Sequence, residues 1–286
     1  MRLSLNLFGQ PLDAYAPLAV AAERSGFEAV WLSDHLVTPV EWDPVYPYSS
    51  SGRPGSYDGA TPLADVWSML GYLACATSTV MLGTGVYILP LRNPFVTARA
   101  AATVQQLSGG RLLLGIGAGW LREEYAAVGE SFDDRGARMD EIVGILRRLW
   151  TGEPVAHHGA AYRFDAVQLS PAPRPQPPII VGGLTLPALR RAARIGDGWF
   201  APACSLDEAI AARDILDAER RAVQRDHLPF RIWVRLRDPW NAAERDAFRS
   251  AGFGDLVVFP AQLARGGDLS GVADRVAELA GEVTRV

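Results

Sequence analysis

Eight short apolar segments, each followed by a longer amphipathic stretch, constrain the fold of this chain more than any other feature. Several of the segments are apolar throughout, which is typical of parallel strands covered on both faces. Alternation of such strands with helical patterns predicts βα units. Eight units in series favour a closed (β/α)8 barrel, the TIM barrel, over an open doubly wound sheet. The eight predicted strands are Leu3–Leu7, Ala29–Leu32, Val80–Gly83, Leu112–Gly115, Ile179–Val181, Gly198–Ala201, Arg231–Leu236 and Asp255–Phe259.

The predicted helices lie between these strands. They cover Leu12–Ser25, Pro62–Thr77, Pro94–Leu107, Gly136–Trp150, Leu186–Ile195, Leu206–Arg225, Ala242–Ala251 and Leu269–Ala280. Thr61, Ser205 and Asn241 stand where helix N-caps are expected. A chain of 286 residues suits one large α/β domain, so we predict a single barrel domain over residues 1–286.

Three longer segments interrupt the rhythm of strands and helices. They are Leu36–Ala60, Trp120–Arg135 and the proline-rich Gly152–Pro177. Long loops at the C-terminal ends of barrel strands usually carry function. The sequence therefore predicts a TIM barrel with insertions at the C-terminal face.

Composition argues against several classes of function. The net charge is −4 and no basic cluster is present, so neither nucleic acid nor a membrane is predicted as a partner. All 28 basic residues are arginine, so no lysine can form a Schiff base with a substrate or cofactor. The chain shows no signal-peptide pattern and no apolar run long enough to span a membrane. We therefore expect a cytoplasmic protein.

Two motifs follow the second and third predicted strands. Ser33-Asp34-His35 comes directly after the second strand, where histidine could move a proton near neutral pH and the aspartate could bind a cofactor. A helix cap or a hydrogen-bonded pair at the rim is the plainer interpretation. Gly83 and Gly85 would let the backbone approach a flat ligand closely, although many strand ends contain glycine without binding a ligand.

Two further glycine motifs could contact a phosphorylated ligand. Gly115–Gly119 lacks the spacing of a dinucleotide fingerprint and leads into the polar run Arg122–Tyr125, so we interpret it as a rim loop beside a ligand. Gly182–Thr185 joins a strand to a helix N-terminus, whose free N–H groups suit a phosphate. The alternative for that segment is an ordinary turn in which Thr185 caps the helix.

The remaining candidate side chains have a simpler interpretation. Arg138 could reach a phosphate, but the carboxylates of Asp134 and Glu141 offer it ordinary ion pairs. His157-His158 has no carboxylate or cysteine nearby at metal-binding spacing. We therefore place the two histidines at the surface and predict no metal site.

Seven segments, taken in order, resemble the luciferase-like monooxygenase superfamily, and more narrowly its coenzyme F420-dependent (deazaflavin) oxidoreductase branch. They are Glu23–Trp31, Ser33–His35, Arg92–Pro94, Leu107–Leu112, Arg135–Arg138, Leu149–Gly152 and Gly196–Trp199. The resemblance covers nearly the whole chain. It implies a barrel that binds a small-molecule substrate beside coenzyme F420, with FMN as the alternative cofactor.

The resemblance also implies where the cofactor lies. A non-prolyl cis peptide bond at Gly85-Val86 would brace the ring from behind, and His35 would be the catalytic histidine. Asp34 would lie near the ring. With Arg138 added as a possible phosphate ligand, the implied cofactor-binding residues are Asp34, His35, Gly85, Val86, Gly117, Ala118, Gly119, Gly182, Gly183 and Thr185.

Departures from the family pattern bear on the substrate. Trp120 stands where the sugar-phosphate dehydrogenases of the branch have a proton-donating glutamate, and their phosphate-binding lysines are missing. Both departures argue against glucose 6-phosphate as substrate. Aromatic cleft walls suit an apolar or aromatic substrate instead. The predicted wall residues are Trp42, Tyr46, Tyr48, Tyr57, Trp67 and Trp120.

The function predicted from these features is hydride transfer between a deazaflavin and a small organic substrate. One alternative is an FMN-dependent two-component monooxygenase served by a separate cofactor reductase. Another is a flavin-binding protein without catalytic activity. A homodimer is expected by analogy with the family alone.

Overall fold

The computed structural model describes residues 1–43, 45–49, 51–54, 57–237, 241–263 and 271–284. Its eight barrel strands confirm the eight predicted from the sequence, with small shifts at their ends. Their bounds are Arg2–Asn6, Ala29–Leu32, Met81–Thr84, Leu112–Gly117, Ile179–Gly182, Gly198–Cys204, Arg231–Leu236 and Asp255–Val258. A short segment, Tyr87–Ile88, adds to the sheet beside the fourth barrel strand.

The eight strands close into a ring. The first strand pairs in parallel with both the second and the eighth. The third strand pairs with the fourth, where Leu82 and Gly83 lie opposite Leu112 and Leu113. This last pairing joins the two ends of the sheet, so the predicted closed barrel is confirmed.

Aromatic side chains fill the interior of the barrel. The ring of Trp31 lies 4.7 Å from that of Phe200 and 5.4 Å from that of Trp233, measured between ring centroids. A Cβ at Gly83 would lie 2.3 Å from the Trp31 ring, so this position has room only for glycine. Gly83 therefore packs against tryptophan, which agrees with the alternative that this glycine serves the fold.

Helices surround the ring, as expected for a barrel of βα units. They are Tyr15–Arg24, Val66–Ala76, Pro94–Leu107, Arg122–Ala127, Arg135–Leu149, Leu186–Ile195, Leu206–Ala222, Ala242–Ser250, Pro260–Leu263 and Val272–Thr284. Short 3-10 turns cover Leu12–Ala14 and Leu89–Leu91. The first two residues of the helix predicted at Leu269–Ala280 lie outside the described residues. Every helix in the described part of the chain is too short or too polar to cross a lipid bilayer.

Side-chain caps fix several of the helix starts. The predicted caps Ser205 and Asn241 are confirmed, since each accepts a hydrogen bond from the backbone three residues on. The helix predicted from Pro62 begins only at Val66, because Asp65 caps it by accepting the Ser68 N–H at 2.8 Å. The prediction of Thr61 as N-cap is therefore wrong.

The three insertions lie at two different ends of the barrel. Leu36–Ala60 and Trp120–Arg135 follow strands and therefore belong to the C-terminal face. Gly152–Pro177 precedes the fifth strand, so its place is at the opposite end. It contains an antiparallel hairpin of Val155–His158 and Arg163–Val167. Two insertions, and not three, are thus positioned to shape the mouth of the barrel.

The hairpin is attached to the helix Arg135–Leu149 by a histidine. His157 Nε2 lies 2.8 Å from Glu141 Oε1, and His157 Nδ1 lies 2.7 Å from a guanidinium nitrogen of Arg148. Glu141 also accepts the backbone N–H groups of Ala161 and Tyr162. The carboxylate that the sequence does not show near His157 is therefore supplied by the neighbouring helix.

We expect Gly159→Ala to lower the free energy of unfolding by about 1–3 kcal/mol, since overpacking of a filled site has that cost. A Cβ at Gly159 would lie 2.0 Å from Glu141 Oε1 and 2.4 Å from His157 Nε2. Gly144→Ala is the matched control, because a Cβ there meets nothing within 4 Å and alanine favours the helix. Urea unfolding of both variants tests this, and equal stability of the two would contradict it.

Candidate active site

His35 is held at the C-terminal rim by a buried carboxylate. Its Nδ1 lies 2.7 Å from Glu124 Oε2, and the other carboxylate oxygen accepts the Leu36 N–H at 2.6 Å. An ionised carboxylate only accepts hydrogen bonds, so the proton of a neutral imidazole lies on Nδ1. His35 Nε2 is then the ring nitrogen available to exchange a proton with a bound molecule.

Sequence reasoning missed Glu124. The run Arg122–Tyr125 reads as exposed polar sequence, yet the side chain of Glu124 is only 1% exposed. The run forms the short helix Arg122–Ala127 directly after the glycine loop of the fourth strand, so one of its faces turns back to the barrel mouth. A carboxylate in the first turn of such a helix is the signal that could have identified it.

Aromatic side chains from the first insertion and from the loop after the fourth strand surround His35. Tyr57 stacks on the imidazole with ring centroids 4.5 Å apart, and Trp42 stacks on Tyr57 at 5.9 Å. Trp120 meets His35 edge to face at 6.1 Å. Burial raises the pKa of Tyr57 to about 12, so this side chain remains a neutral phenol. Of the six predicted wall residues, Tyr57 and Trp120 therefore contact His35, and Trp42 packs against both of them.

Two predicted site residues lie apart from this group. Trp67 packs against the buried Tyr87 with ring centroids 5.2 Å apart. The guanidinium of Arg138 lies 3.2 Å from Glu130 and 3.1 Å from Asp134, within ion-pair distance of both carboxylates. Arg138 thus has the simpler of the two roles considered for it, although Glu130 and not Glu141 is its second partner.

The predicted glycine motifs meet at Val86. The peptide bond Gly85-Val86 is cis, which confirms the expectation from the resemblance. A Cβ at Gly117 would lie 2.6 Å from one methyl group of Val86, and a Cβ at Gly182 would lie 2.6 Å from the other. The isopropyl group therefore occupies a cradle that either added methyl group would fill.

The segment Gly182–Thr185 presents backbone N–H groups at the start of the helix Leu186–Ile195. Gly183 has a φ of +116°, a conformation that favours glycine. The Leu184 N–H donates to the Tyr48 hydroxyl at 3.3 Å. Thr185 occupies the N-cap position but makes no side-chain capping bond, so the interpretation of Thr185 as a side-chain cap is wrong.

The second glycine loop has a different set of contacts. The Ala118 carbonyl accepts the Tyr125 hydroxyl at 2.6 Å, and Gly119 has a φ of +68°. Val86, held in its glycine cradle, offers an apolar surface suited to a flat ring, and the helix N-terminus after Gly183 suits the phosphate of an attached chain. The chain therefore offers a site of the right chemistry for a flavin or deazaflavin.

Asp34 is buried below the rim. Its carboxylate accepts the Ile88 N–H at 2.9 Å and pairs with Arg92 at 2.6 Å. Burial raises the pKa of Asp34 above its usual value, against the opposing effect of Arg92. Both oxygens thus have partners within the protein. These contacts favour a structural role over the contact with the ring that the resemblance implies.

No group of three or more histidine, cysteine or acidic side chains is positioned to hold a metal ion anywhere in the described ranges of the chain.

Comparison with known proteins agrees with this geometry. The sequence profile of the family described as luciferase-like monooxygenase matches residues 4–267. The chain belongs to the luciferase-like monooxygenase family. Within this family of barrels, the curated relatives and solved structures most useful for comparison differ in the reactions for which they are named.

Two curated relatives of this luciferase-like protein are named as F420-dependent enzymes. An F420-dependent glucose-6-phosphate dehydrogenase of Kineococcus radiotolerans is 37% identical over 213 residues, 68% of this chain and 58% of the relative. An F420-dependent hydroxymycolic acid dehydrogenase of Mycobacterium tuberculosis is 32% identical over 200 residues, 69% of this chain and 51% of the relative. The matches thus span little more than half the length of these relatives.

A solved structure extends the likeness to the full length of the luciferase-like chain. The monooxygenase RslO1 from Streptomyces bottropensis matches 100% of this chain and 82% of its own, with a TM-score of 0.68 and 25% identity. The family therefore includes both dehydrogenases and monooxygenases, which is the same pair of reactions that the sequence leaves open.

We expect Gly117→Ala to lower the free energy of unfolding by about 1–3 kcal/mol, because the new methyl group overpacks the cradle of Val86. Combining Gly117→Ala with Val86→Ala should restore part of that loss, since Val86→Ala removes the methyl group that the new Cβ would contact. Urea unfolding of both single variants and the double variant measures the coupling. Strict additivity would show that the two residues do not share the cradle.

Proposed function

We propose that this luciferase-like protein is an F420-dependent oxidoreductase that transfers hydride between the deazaflavin and a small, apolar or aromatic substrate. The observation that carries the proposal is His35, oriented by the buried Glu124 at the mouth of the barrel. The F420-dependent relatives support the choice of cofactor.

The cofactor would be held by backbone and apolar groups. Val86, in its glycine cradle, would support the ring, and the Thr185 hydroxyl and the N-terminus of the helix Leu186–Ile195 would hold the phosphate. When bound, the deazaflavin supplies the hydride chemistry. The protein contributes binding, orientation and the exclusion of water.

His35 would hold or release the proton that accompanies hydride transfer to or from a substrate oxygen. Glu124 fixes the ring by accepting from Nδ1, so that Nε2 faces the reacting oxygen in a defined orientation. The same carboxylate stabilises the imidazolium formed when Nε2 takes up a proton. Tyr57 covers one face of the imidazole and limits exchange of this proton with water.

The aromatic side chains around His35 support the substrate class. Trp42, Tyr57 and Trp120 offer ring faces and edges, and such surfaces bind apolar or aromatic groups well. Because these rings pack around one histidine, an apolar substrate bound against them would lie beside the proposed proton-transfer group. Glucose 6-phosphate has no apolar or aromatic group that could pack against these aromatic rings.

An FMN-dependent monooxygenase is the second candidate. The likeness to RslO1 over the full length of the chain favours it, and a separate reductase would then supply reduced FMN. The same cradle and helix N-terminus would hold FMN. A flavin-binding protein without activity accounts less well for a buried carboxylate directed at a histidine.

Fluorescence titration of the purified protein with F420 and with FMN distinguishes the two cofactors. We expect F420 to bind with a dissociation constant in the micromolar range or below, about −8 kcal/mol or better, and FMN to bind more weakly. The reverse order would favour the monooxygenase. Failure of both to bind would remove the proposal.

Replacing His35 with glutamine should lower turnover by about 100-fold while leaving the affinity for F420 nearly unchanged, since general acid–base catalysis is worth that much. Glu124→Gln should lower turnover by about tenfold, because the ring loses its charged partner. Glu123→Gln is the matched control, since Glu123 bonds the backbone of Asp43 instead. Stopped-flow oxidation of reduced F420 against a panel of aromatic carbonyl compounds measures these rates, and unchanged turnover in His35→Gln would exclude the histidine from the reaction.

A further inference from the structure

We propose that the buried ion pair of Asp34 and Arg92 is a positioning device that sets the separation between His35 and the turn at Gly85-Val86. The proposal rests on the proposed function, because it takes those two features as the proton-transfer group and the support of the cofactor ring. Asp34 and Arg92 would then act through their neighbours and not by contact with a bound molecule.

The pair grips both polar groups of one backbone residue. Asp34 Oδ2 accepts the Ile88 N–H at 2.9 Å, and Asp34 Oδ1 accepts from Arg92 Nη2 at 2.6 Å. Arg92 Nη1 in turn donates to the Ile88 carbonyl at 3.1 Å. The carboxylate, the guanidinium and the backbone of Ile88 therefore form one closed set of hydrogen bonds.

This set of bonds joins the loops after the second and third strands. On one side, Asp34 is the residue directly before His35 in the chain. On the other side, Ile88 follows Val86 by two residues and pairs with Gly117 in the sheet. A shift of the third-strand turn relative to His35 would have to break the pair.

The Asp34–Arg92 ion pair is buried, so its geometry resists displacement. The Asp34 side chain is 4% exposed and the Arg92 side chain 10% exposed. The guanidinium also lies over the Tyr87 ring, 4.5 Å from its centroid. Breaking a buried pair from one side leaves an uncompensated charge, so small displacements are strongly opposed.

A matched control lies at the opposite end of the barrel. Asp255 is also buried and also pairs with arginine, accepting from Arg2 at 2.6 Å and from Arg231 at 2.7 Å. It belongs to the N-terminal end of the eighth strand, so it does not take part in the candidate site. Asp255→Asn therefore reports the general cost of neutralising a buried carboxylate.

The test is a double-mutant cycle on cofactor affinity. Asp34→Asn, Arg92→Gln, the double variant and Asp255→Asn are titrated by fluorescence with F420 and with FMN. We expect each single variant at the Asp34–Arg92 pair to weaken binding by about tenfold, and the double variant to be no weaker than the singles, because either change releases the same turn. Asp255→Asn should keep the wild-type affinity for the cofactor, while its free energy of unfolding in urea falls by an amount similar to that in Asp34→Asn.

Other outcomes overturn the proposal. A loss of affinity in Asp34→Asn that Arg92→Gln does not share would indicate direct contact between Asp34 and the cofactor. Additive losses, or a similar loss in Asp255→Asn, would indicate independent or general effects. Unchanged affinity in both single variants would show that the pair does not position the turn.

A second readout does not depend on any cofactor. The sequence has four histidines, so the carbon-bound Cε1 proton resonance of His35 can be assigned by its loss in His35→Gln. We expect this resonance to shift in Asp34→Asn and in Arg92→Gln but not in Asp255→Asn. If the wild-type protein binds neither F420 nor FMN, the proposed function fails. The His35 resonance then tests the positioning role alone, and an unchanged chemical shift in both Asp34→Asn and Arg92→Gln would contradict it.

Discussion

The pairing of the third strand with the fourth closes the sheet, and the candidate site exists only because of this closure. In an open sheet, the ends of the second, third, fourth and fifth strands would lie along a line. In the closed ring they surround one mouth, where Val86 meets Gly117 and Gly182 and where His35 follows the second strand. The tryptophans that fill the interior, Trp31 among them, prevent a ligand from entering further. The site is therefore a cleft on top of a filled barrel.

Polar side chains with several hydrogen bonds to the protein are found at both ends of the barrel, with different uses. At the N-terminal end, the Arg111 guanidinium donates to the Ala74, Thr77 and Val80 carbonyls, and Glu23 accepts three successive backbone N–H groups that begin at Ser78. Both residues belong to segments that carry the family resemblance. Polar residues at this end of a TIM barrel usually serve stability. The segments that carry the resemblance therefore include positions that stabilise the fold as well as positions at the candidate site.

The sequence reveals the strands well because both of their faces are buried, and this leaves short apolar runs that few other structures produce. It also reveals His35 and the glycines, since each directly follows a strand. It does not reveal contacts between distant segments. Glu124 lies 89 residues from its partner His35, and Glu141 reaches His157 only because a hairpin folds back onto its helix. Partners of this kind are set by packing geometry, which a local pattern cannot contain.

The first insertion, Leu36–Ala60, contacts His35, the aromatic wall and the helix start that follows Gly183. Tyr57 covers His35, Trp42 extends the aromatic wall, and Tyr48 bonds the backbone of Leu184 beside the helix start. Under the proposed function, this single surface loop would shape the substrate cleft, cover the proton-transfer group and border the anionic end of the cofactor. Exchange of this loop between relatives would transfer all three properties together. Diversification of such barrels can then proceed by replacing one contiguous segment while the ring beneath it stays unchanged.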